Sequence, residues 1–206
     1  AMEVQSTLPV SVAAPLVFSA LPAATALLAE PAYAQAGSVV CSNASAFRDE
    51  PDVPLLLPEV NPDHTALVHR QRRERGFKGF IVTNPNCTST GMTVALKALQ
   101  DSYGVQRVFA VSLQALSGAG YPGVPSLDIL NNVIPYIPAE EEKVEQEPRK
   151  MLGVLQQEQI VLAGLTIGIG TGVVLLRRGF GLGNPRPLPT APGLTFPALV
   201  AVLLAA

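Results

Sequence analysis

The sequence predicts an α/β fold built on a parallel sheet, and three observations predict it. Leu16-Val17-Phe18 and Ser38-Val39-Val40-Cys41 are short apolar runs, and the alanine-rich stretch Ala23 to Ala36 between them favours helix. Parallel strands need a crossover of about this length, so the three pieces form a βαβ unit. Phe80-Ile81-Val82 is a further β-branched and aromatic run. It leads through the turn residues Asn84-Pro85-Asn86 into a segment where Met92, Leu96, Leu99 and Tyr103 recur at helical spacing. Ligands collect at the carboxyl ends of strands in such sheets, which puts Ser19-Ala20 and Ser42-Asn43-Ala44-Ser45 on the functional edge.

At 206 residues the chain has room for one good core or two small ones. Fourteen basic against sixteen acidic side chains leave it near neutral, which argues against a nucleic-acid partner. Cys41 and Cys87 are the only cysteines, too few for a disulfide framework and suited to a reducing compartment. Residues 8 to 36 are apolar and end in Ala-Tyr-Ala-Gln-Ala, in the manner of a secretory signal. Four prolines interrupt the stretch, and no Lys or Arg precedes Arg48, so the basic start of a signal is missing. A first residue of alanine points to a fragment, and Ala1 to Pro15 carries no motif.

Pro51 to Pro62 is a proline-punctuated loop, followed by a helix expected from His64 to Arg75, capped by Asp63 and closed by Gly76. Its arginines read as a solvated face rather than a polyanion patch, and His64 and His69 as surface residues of the same helix. Cys87 stands where the turn meets the next helix. Unpaired backbone N–H groups and the helix dipole favour a thiolate there, the form of cysteine that attacks carbon. A free cysteine is ordinarily a small buried hydrophobe, so position alone does not make it a nucleophile. Gly104 closes this helix and Val108 to Leu116 reads as a strand. Alternation puts Val108, Ala110, Ser112 and Gln114 on its more polar face. Ser117-Gly118-Ala119-Gly120 permits close backbone approach to a ligand. Glu140 and Lys143 are three apart and share a helix face.

The neighbours of Cys87 decide between these readings. Thr83-Asn-Pro-Asn-Cys-Thr-Ser-Thr-Gly91 resembles the nucleophile segment of the aspartate-semialdehyde dehydrogenases, in the branch found in archaea and fungi. The strings FSALP, SNASAFR, PEVNPDH, GFIVTNPNCTSTG, SLQALSGAGYPG and NNVIPYIPAEEEK follow one another as in that family, over roughly residues 16 to 153. The resemblance implies the end of a Rossmann-like dinucleotide-binding domain in residues 1–85. It implies part of an α+β catalytic and dimerisation domain in 86–153, with 154–206 as an apolar tail outside the family pattern.

The implied activity is NADP-dependent reduction of aspartyl phosphate to aspartate semialdehyde, with release of phosphate, in the biosynthesis of lysine, threonine and methionine. By this resemblance Cys87 is the nucleophile, Gln114 holds the substrate against it, and Asn86 helps stabilise the oxyanion. Arg48 and Lys143 bind phosphate and Glu140 binds the substrate's amino group. Ser19, Ala20, Asn43, Ser117 and Gly118 approach the NADP. The residue types suit these roles, since a planar guanidinium fits a phosphate better than an ammonium does. Without the family, Arg48 beside Asp49 and Glu50 reads as a solvated surface arginine. The family also has methionine where Asp49 stands. No metal site is expected, and the partner expected besides the substrate is a second copy, in a homodimer or homotetramer in the cytoplasm.

The resemblance is incomplete in two places. No glycine-rich cofactor loop stands upstream of Leu16, and no histidine follows His69 to act as the family's general base. Related reductases acting on malonyl-CoA or N-acetylglutamyl phosphate are the enzymatic alternatives, and an inactive fragment that only dimerises is the other. Ile160 to Leu176 is an apolar run followed by Arg177-Arg178, at the short limit of a membrane span. Gly168, Gly170 and Gly172 lack the spacing of a dinucleotide fingerprint. The tail is open to three readings: a frame-altered end, a membrane anchor, or a strand that packs on the sheet.

Overall fold

The computed structural model describes residues 14–115, 124–129, 132–135, 137–174 and 200–205, the last six and 170–174 as backbone only. The chain forms two compact units, each stitched from two segments. One is Ala1–Ala98 with Gln146–Gly164, and the other is Leu99–Glu145 with Leu165–Ala206.

In the first unit, β1 (Leu16–Ser19), β2 (Val39–Ser42) and β3 (Phe80–Thr83) lie side by side in that order, all parallel. The crossover is α1 (Ala23–Ala36), as expected, and it stops at Gly37, whose φ of 113° lies in the left-handed region. The next loop adds to the sheet, with Leu55 bridged in parallel to Thr83. Ala34, Val40, Phe47, Val53 and Ile81 bury between helix and sheet, and Leu55, Leu57, Val60 and Met151 form a second cluster. Burial of these side chains is the main favourable term holding the unit together. Gly79 is fixed by proximity, because a Cβ built on it would sit 1.9 Å from the carbonyl oxygen of Ser38.

The expected helix from His64 divides in two, a 3-10 turn at Pro62–Ala66 and α2 at Leu67–Arg75. Asp63 falls inside the turn and caps neither piece, whereas Gly76 closes α2 at a φ of 66°. His64 is not a surface residue. It is 1% exposed and lies between the Asn61 side chain, at 2.8 Å, and the carbonyl oxygen of Gly153, at 3.1 Å. Gln71, also buried, exchanges hydrogen bonds with the backbone of Ile81 in β3 and so fastens α2 to the sheet.

The arginines of α2 are partnered. Arg70 pairs with Glu74, Arg73 with Glu158, and Arg75 with Asp52 and Glu50, while Arg72 lies 5.1 Å over the Phe80 ring. Glu158 sits in the turn of an antiparallel hairpin, β6 (Val154–Gln156) to β7 (Gln159–Val161). Gln157 and Glu158 both take positive φ there, 48° and 59°. Such turns match the twist of their strands and usually carry Asn or Gly.

The second unit is organised around β4 (Arg107–Ala115), which pairs in parallel with β8 (Thr166–Val174) on one side and β9 (Val200–Ala205) on the other. The short β5 (Val133–Ile134) runs antiparallel to β8, giving the order β5-β8-β4-β9. The more polar face of β4 turns inward. Val108, Ala110, Ser112 and Gln114 are buried, and Phe109 and Val111 are exposed. Of the apolar run expected at 160–176, residues 166–174 form β8, which supports the strand reading. Among the described residues no helix is long and apolar enough to cross a membrane. The turn α4 (Ser126–Ile129) belongs to this unit. The helices α3 (Cys87–Tyr103) and α5 (Glu140–Met151) each supply residues to both.

Candidate functional site

The carboxyl end of β3 delivers the chain into Asn84-Pro85-Asn86 and then into α3. Asn86 caps that helix, its Oδ1 accepting from the backbone N–H groups of Thr88 at 2.9 Å and Ser89 at 3.2 Å. Cys87 is thereby held in the first turn of α3, and its side chain is exposed. The other cysteine, Cys41, lies within β2, where burial pushes its thiol above the ordinary value. With the side-chain oxygen of Asn86 committed to the cap, any donor it offers to an oxyanion is its amide nitrogen.

Cys87 opens onto a cleft of about 620 Å³, whose polar lining includes Asn43, Arg48, Asn84, Asn86 and Thr90. Arg48 is not solvated beside Asp49 and Glu50. It is 8% exposed, its Nη1 donates to Oε1 of Glu147 at 3.0 Å, and its Nη2 donates to the carbonyl oxygen of Asn43 at 2.9 Å. Its buried Nε has no hydrogen-bond partner among the described residues. The cleft therefore joins an accessible thiol to a guanidinium whose plane is fixed from two sides.

Glu147 was not singled out by the sequence. Its Oε2 accepts from the backbone N–H of Asn86 at 2.6 Å, so one carboxylate reaches both Arg48 and the residue before Cys87. Lys150, one turn later, donates to the carbonyl oxygens of Arg48, Glu50 and Val53 at 2.6, 2.7 and 3.0 Å. Burial lowers its pKa to about 8, against the pull of Asp49, Asp52, Glu50 and Glu147. A signal for both was present in α5. Glu147 and Lys150 fall on the stripe that includes Val144 and Met151, and a charged side chain on an apolar stripe needs a buried partner.

At the ends of β1 and β2, Ser19 is buried with its Oγ unpartnered, and Ala20 and Asn43 are exposed. Asn43 is tied to β1 through its N–H, which donates to the Ser19 carbonyl oxygen at 2.8 Å. Beside them Ser42 donates to Glu30 at 2.6 Å beneath α1.

In the second unit Gln114 and Glu140 come together. Gln114 Nε2 donates to Glu140 Oε1 at 2.8 Å, and both side chains are buried. Lys143 is half-buried in the first turn of α5. Ser117 and Gly118 lie outside the described residues.

Comparison with known proteins agrees with this layout. The family model for the semialdehyde dehydrogenase NAD binding domain matches residues 2–68, and that for the dimerisation domain matches residues 96–173. The aspartate-semialdehyde dehydrogenase of Archaeoglobus fulgidus is 54% identical over 159 residues, covering 77% of this chain and 46% of the relative. That of Methanothermobacter thermautotrophicus is 51% identical over 157 residues, covering 76% and 45%. The crystal structure of the Candida albicans enzyme with NADP superposes with a TM-score of 0.68 at 36% identity, covering 79% of this chain and 47% of that one. The chain spans about half the length of the curated relatives it matches. With both domain models matched in order and relatives more than half identical over three-quarters of its length, the chain belongs to the aspartate-semialdehyde dehydrogenase family.

Proposed function

We propose that the Cys87 cleft serves the reduction of aspartyl phosphate to aspartate semialdehyde through a thioester on Cys87. The observation that carries this reading is the accessible Cys87 in the first turn of α3, sharing one cleft with the buried Arg48. The Cys87 thiolate attacks the acyl carbon of the substrate. The carbon–oxygen bond to phosphate breaks, phosphate leaves with the electron pair, and a carbon–sulfur bond remains. Arg48 offers planar donors to the phosphoryl oxygens, and the first N–H groups of α3 and the Asn86 amide stabilise negative charge on the acyl oxygen. The pair Gln114 and Glu140 holds the amino acid part of the substrate, and Lys143 adds a second cation for phosphate.

NADP in its reduced form supplies, when bound, the reducing equivalents that turn the thioester into an aldehyde. The unpartnered Oγ of Ser19, with exposed Ala20 and Asn43 at the carboxyl ends of β1 and β2, fits such a ligand, and the resemblance adds Ser117 and Gly118, which lie outside the described residues. In this reading residues 1–85 are the last part of the NADP-binding domain and 86–153 the first part of the catalytic and dimerisation domain. The working form is a homodimer or homotetramer. The two free thiols suit a reducing compartment such as the cytoplasm.

No histidine follows His69, so acylation of Cys87 is the step that this chain's own residues support most directly. Incubating the full chain with aspartyl phosphate and resolving the modified peptide by mass spectrometry tests it. An acyl adduct on Cys87, absent from Cys87→Ala and accompanied by released phosphate, is expected. An unmodified Cys87 alongside acylation by malonyl-CoA or N-acetylglutamyl phosphate would move the assignment to a related reductase. No adduct with any of the three would leave a fragment without acyl chemistry.

A further inference from the structure

We infer that Glu147 is a positioning residue, holding Arg48 and the turn that carries Cys87 from one carboxylate and tempering the positive charge an anionic substrate meets in the cleft. The inference deepens the acyl-transfer reading of the Cys87 cleft and rests on it. Its basis is geometric. Glu147 is 2% exposed, its Oε1 lies 3.0 Å from Arg48 Nη1, and its Oε2 lies 2.6 Å from the backbone nitrogen of Asn86. The two partners are on separate segments, one following β2 and the other following β3.

Only an ionised carboxylate meets both demands. Two donors, a guanidinium and a backbone N–H, converge on it, and each of its oxygens accepts one. Glutamine has a single acceptor oxygen, so its amide nitrogen would face one of the donors. Lys150 clamps the same Arg48 segment through backbone carbonyls, so the fold has a separate device for holding that loop. The carboxylate of Glu147 adds something that clamp does not, a negative charge on the guanidinium of the cleft. A bare buried arginine would bind phosphate tightly and release it slowly. An arginine already paired offers orientation with less net charge, which suits a group that must leave in each cycle.

The test is site-resolved alkylation of the full chain with iodoacetate and iodoacetamide, reagents that differ in charge and little in size. Cys41 serves as the internal control, and Lys150 is unchanged in every variant. In Glu147→Gln the ratio of the iodoacetate rate to the iodoacetamide rate at Cys87 is expected to rise by roughly threefold or more, because the negative charge paired with the cleft's guanidinium has been removed. The pH midpoint of Cys87 alkylation is expected to fall, Glu147→Asp to restore part of both, and Cys41 to be unaffected. Should Glu147→Gln not fold, Glu147→Asp and Arg48→Gln carry the test, the latter lowering the ratio and raising the midpoint. A folded Glu147→Gln with the wild-type ratio and midpoint, whatever its melting temperature, would overturn the inference. Alkylation needs neither substrate nor NADP. Shifted alkylation in a chain that no acyl phosphate modifies would keep Glu147's role and discard the acyl-transfer reading, and the opposite pattern would do the reverse.

Discussion

The side-chain amide of Gln114 in β4 donates a 2.8 Å hydrogen bond to the carboxylate of Glu140 at the start of α5, and both groups are buried. Two residues that the sequence marks separately for the same substrate therefore touch each other.

Replacing Gln114 by glutamate sets two carboxylates at hydrogen-bond distance in a dry site. One of them must then stay protonated, as like charges at that range push a pKa up strongly. Gln114→Glu is expected to lower the denaturant midpoint at pH 7 and to recover part of the loss near pH 5. Gln114→Leu, which takes the 2.8 Å donor away from Glu140, is expected to cost about 1–2 kcal/mol. Urea titrations at the two pH values separate the outcomes.

His64 gives the molecule an acid-sensitive point. Burial holds its pKa below the ordinary 6.5 and Lys150 adds to this, against the Gly153 carbonyl and Asp63, which favour the charged ring. Between 6.5 and the lower folded-state value the unfolded chain binds the proton and the folded chain does not. Stability therefore falls as the pH drops below about 6.5. Substituting His64→Gln is expected to flatten that slope, read as urea midpoint against pH from 7 to 5.

Among the described residues Arg75 is the arginine that pairs with two acidic side chains, with Nη2 2.6 Å from Oδ1 of Asp52 and 2.7 Å from Glu50. Burial alone would raise the Asp52 carboxyl, and the Arg75 guanidinium overrides it and brings it below the usual 3.8. The stabilisation is present above 3.8 and is lost as the pH falls through the lower folded-state value. Arg75→Met leaves the Asp52 charge buried without its main partner, at a cost of about 3 kcal/mol. The double variant Arg75→Met with Asp52→Asn is expected to regain part of that in thermal melts.

Gly79→Ala tests the close approach of two backbones. The new methyl would meet the Ser38 carbonyl at 1.9 Å, so β2 and β3 must separate locally. A loss of at least about 2 kcal/mol is expected. Hydrogen exchange should accelerate first at Phe80, whose N–H donates to the Ser38 oxygen at 3.3 Å. Unchanged exchange there would contradict this account of the glycine.

Features encoded over a few neighbouring residues were legible in the sequence. The crossover unit at 16–42, the turn before Cys87 and the glycines that stop α2 and α3 all follow from local preferences, and the structure has them where those preferences put them. What was hidden depends on distant partners. His64 looks like a surface residue until Asn61 and Gly153 close around it, and Glu147 looks like one more acidic residue in a charged helix. The run at 160–176 was read for hydrophobicity, which cannot separate a membrane helix from a buried strand. Its alternation could have done so. Gly168, Gly170 and Gly172 recur at every second position of the run, the period of a strand rather than a helix.

Because the parallel neighbours of β4 among the described residues are β8 and β9, the second sheet cannot close while the ribosome is still translating the chain between residues 116 and 165. Until then β4 emerges as a lone nine-residue strand with bare edges, exposing Phe109 and Val111 to any other nascent chain. Synthesis slowed in that interval should thus raise the demand for chaperones, whereas β1, β2 and β3 can already associate once residue 83 has left the exit tunnel.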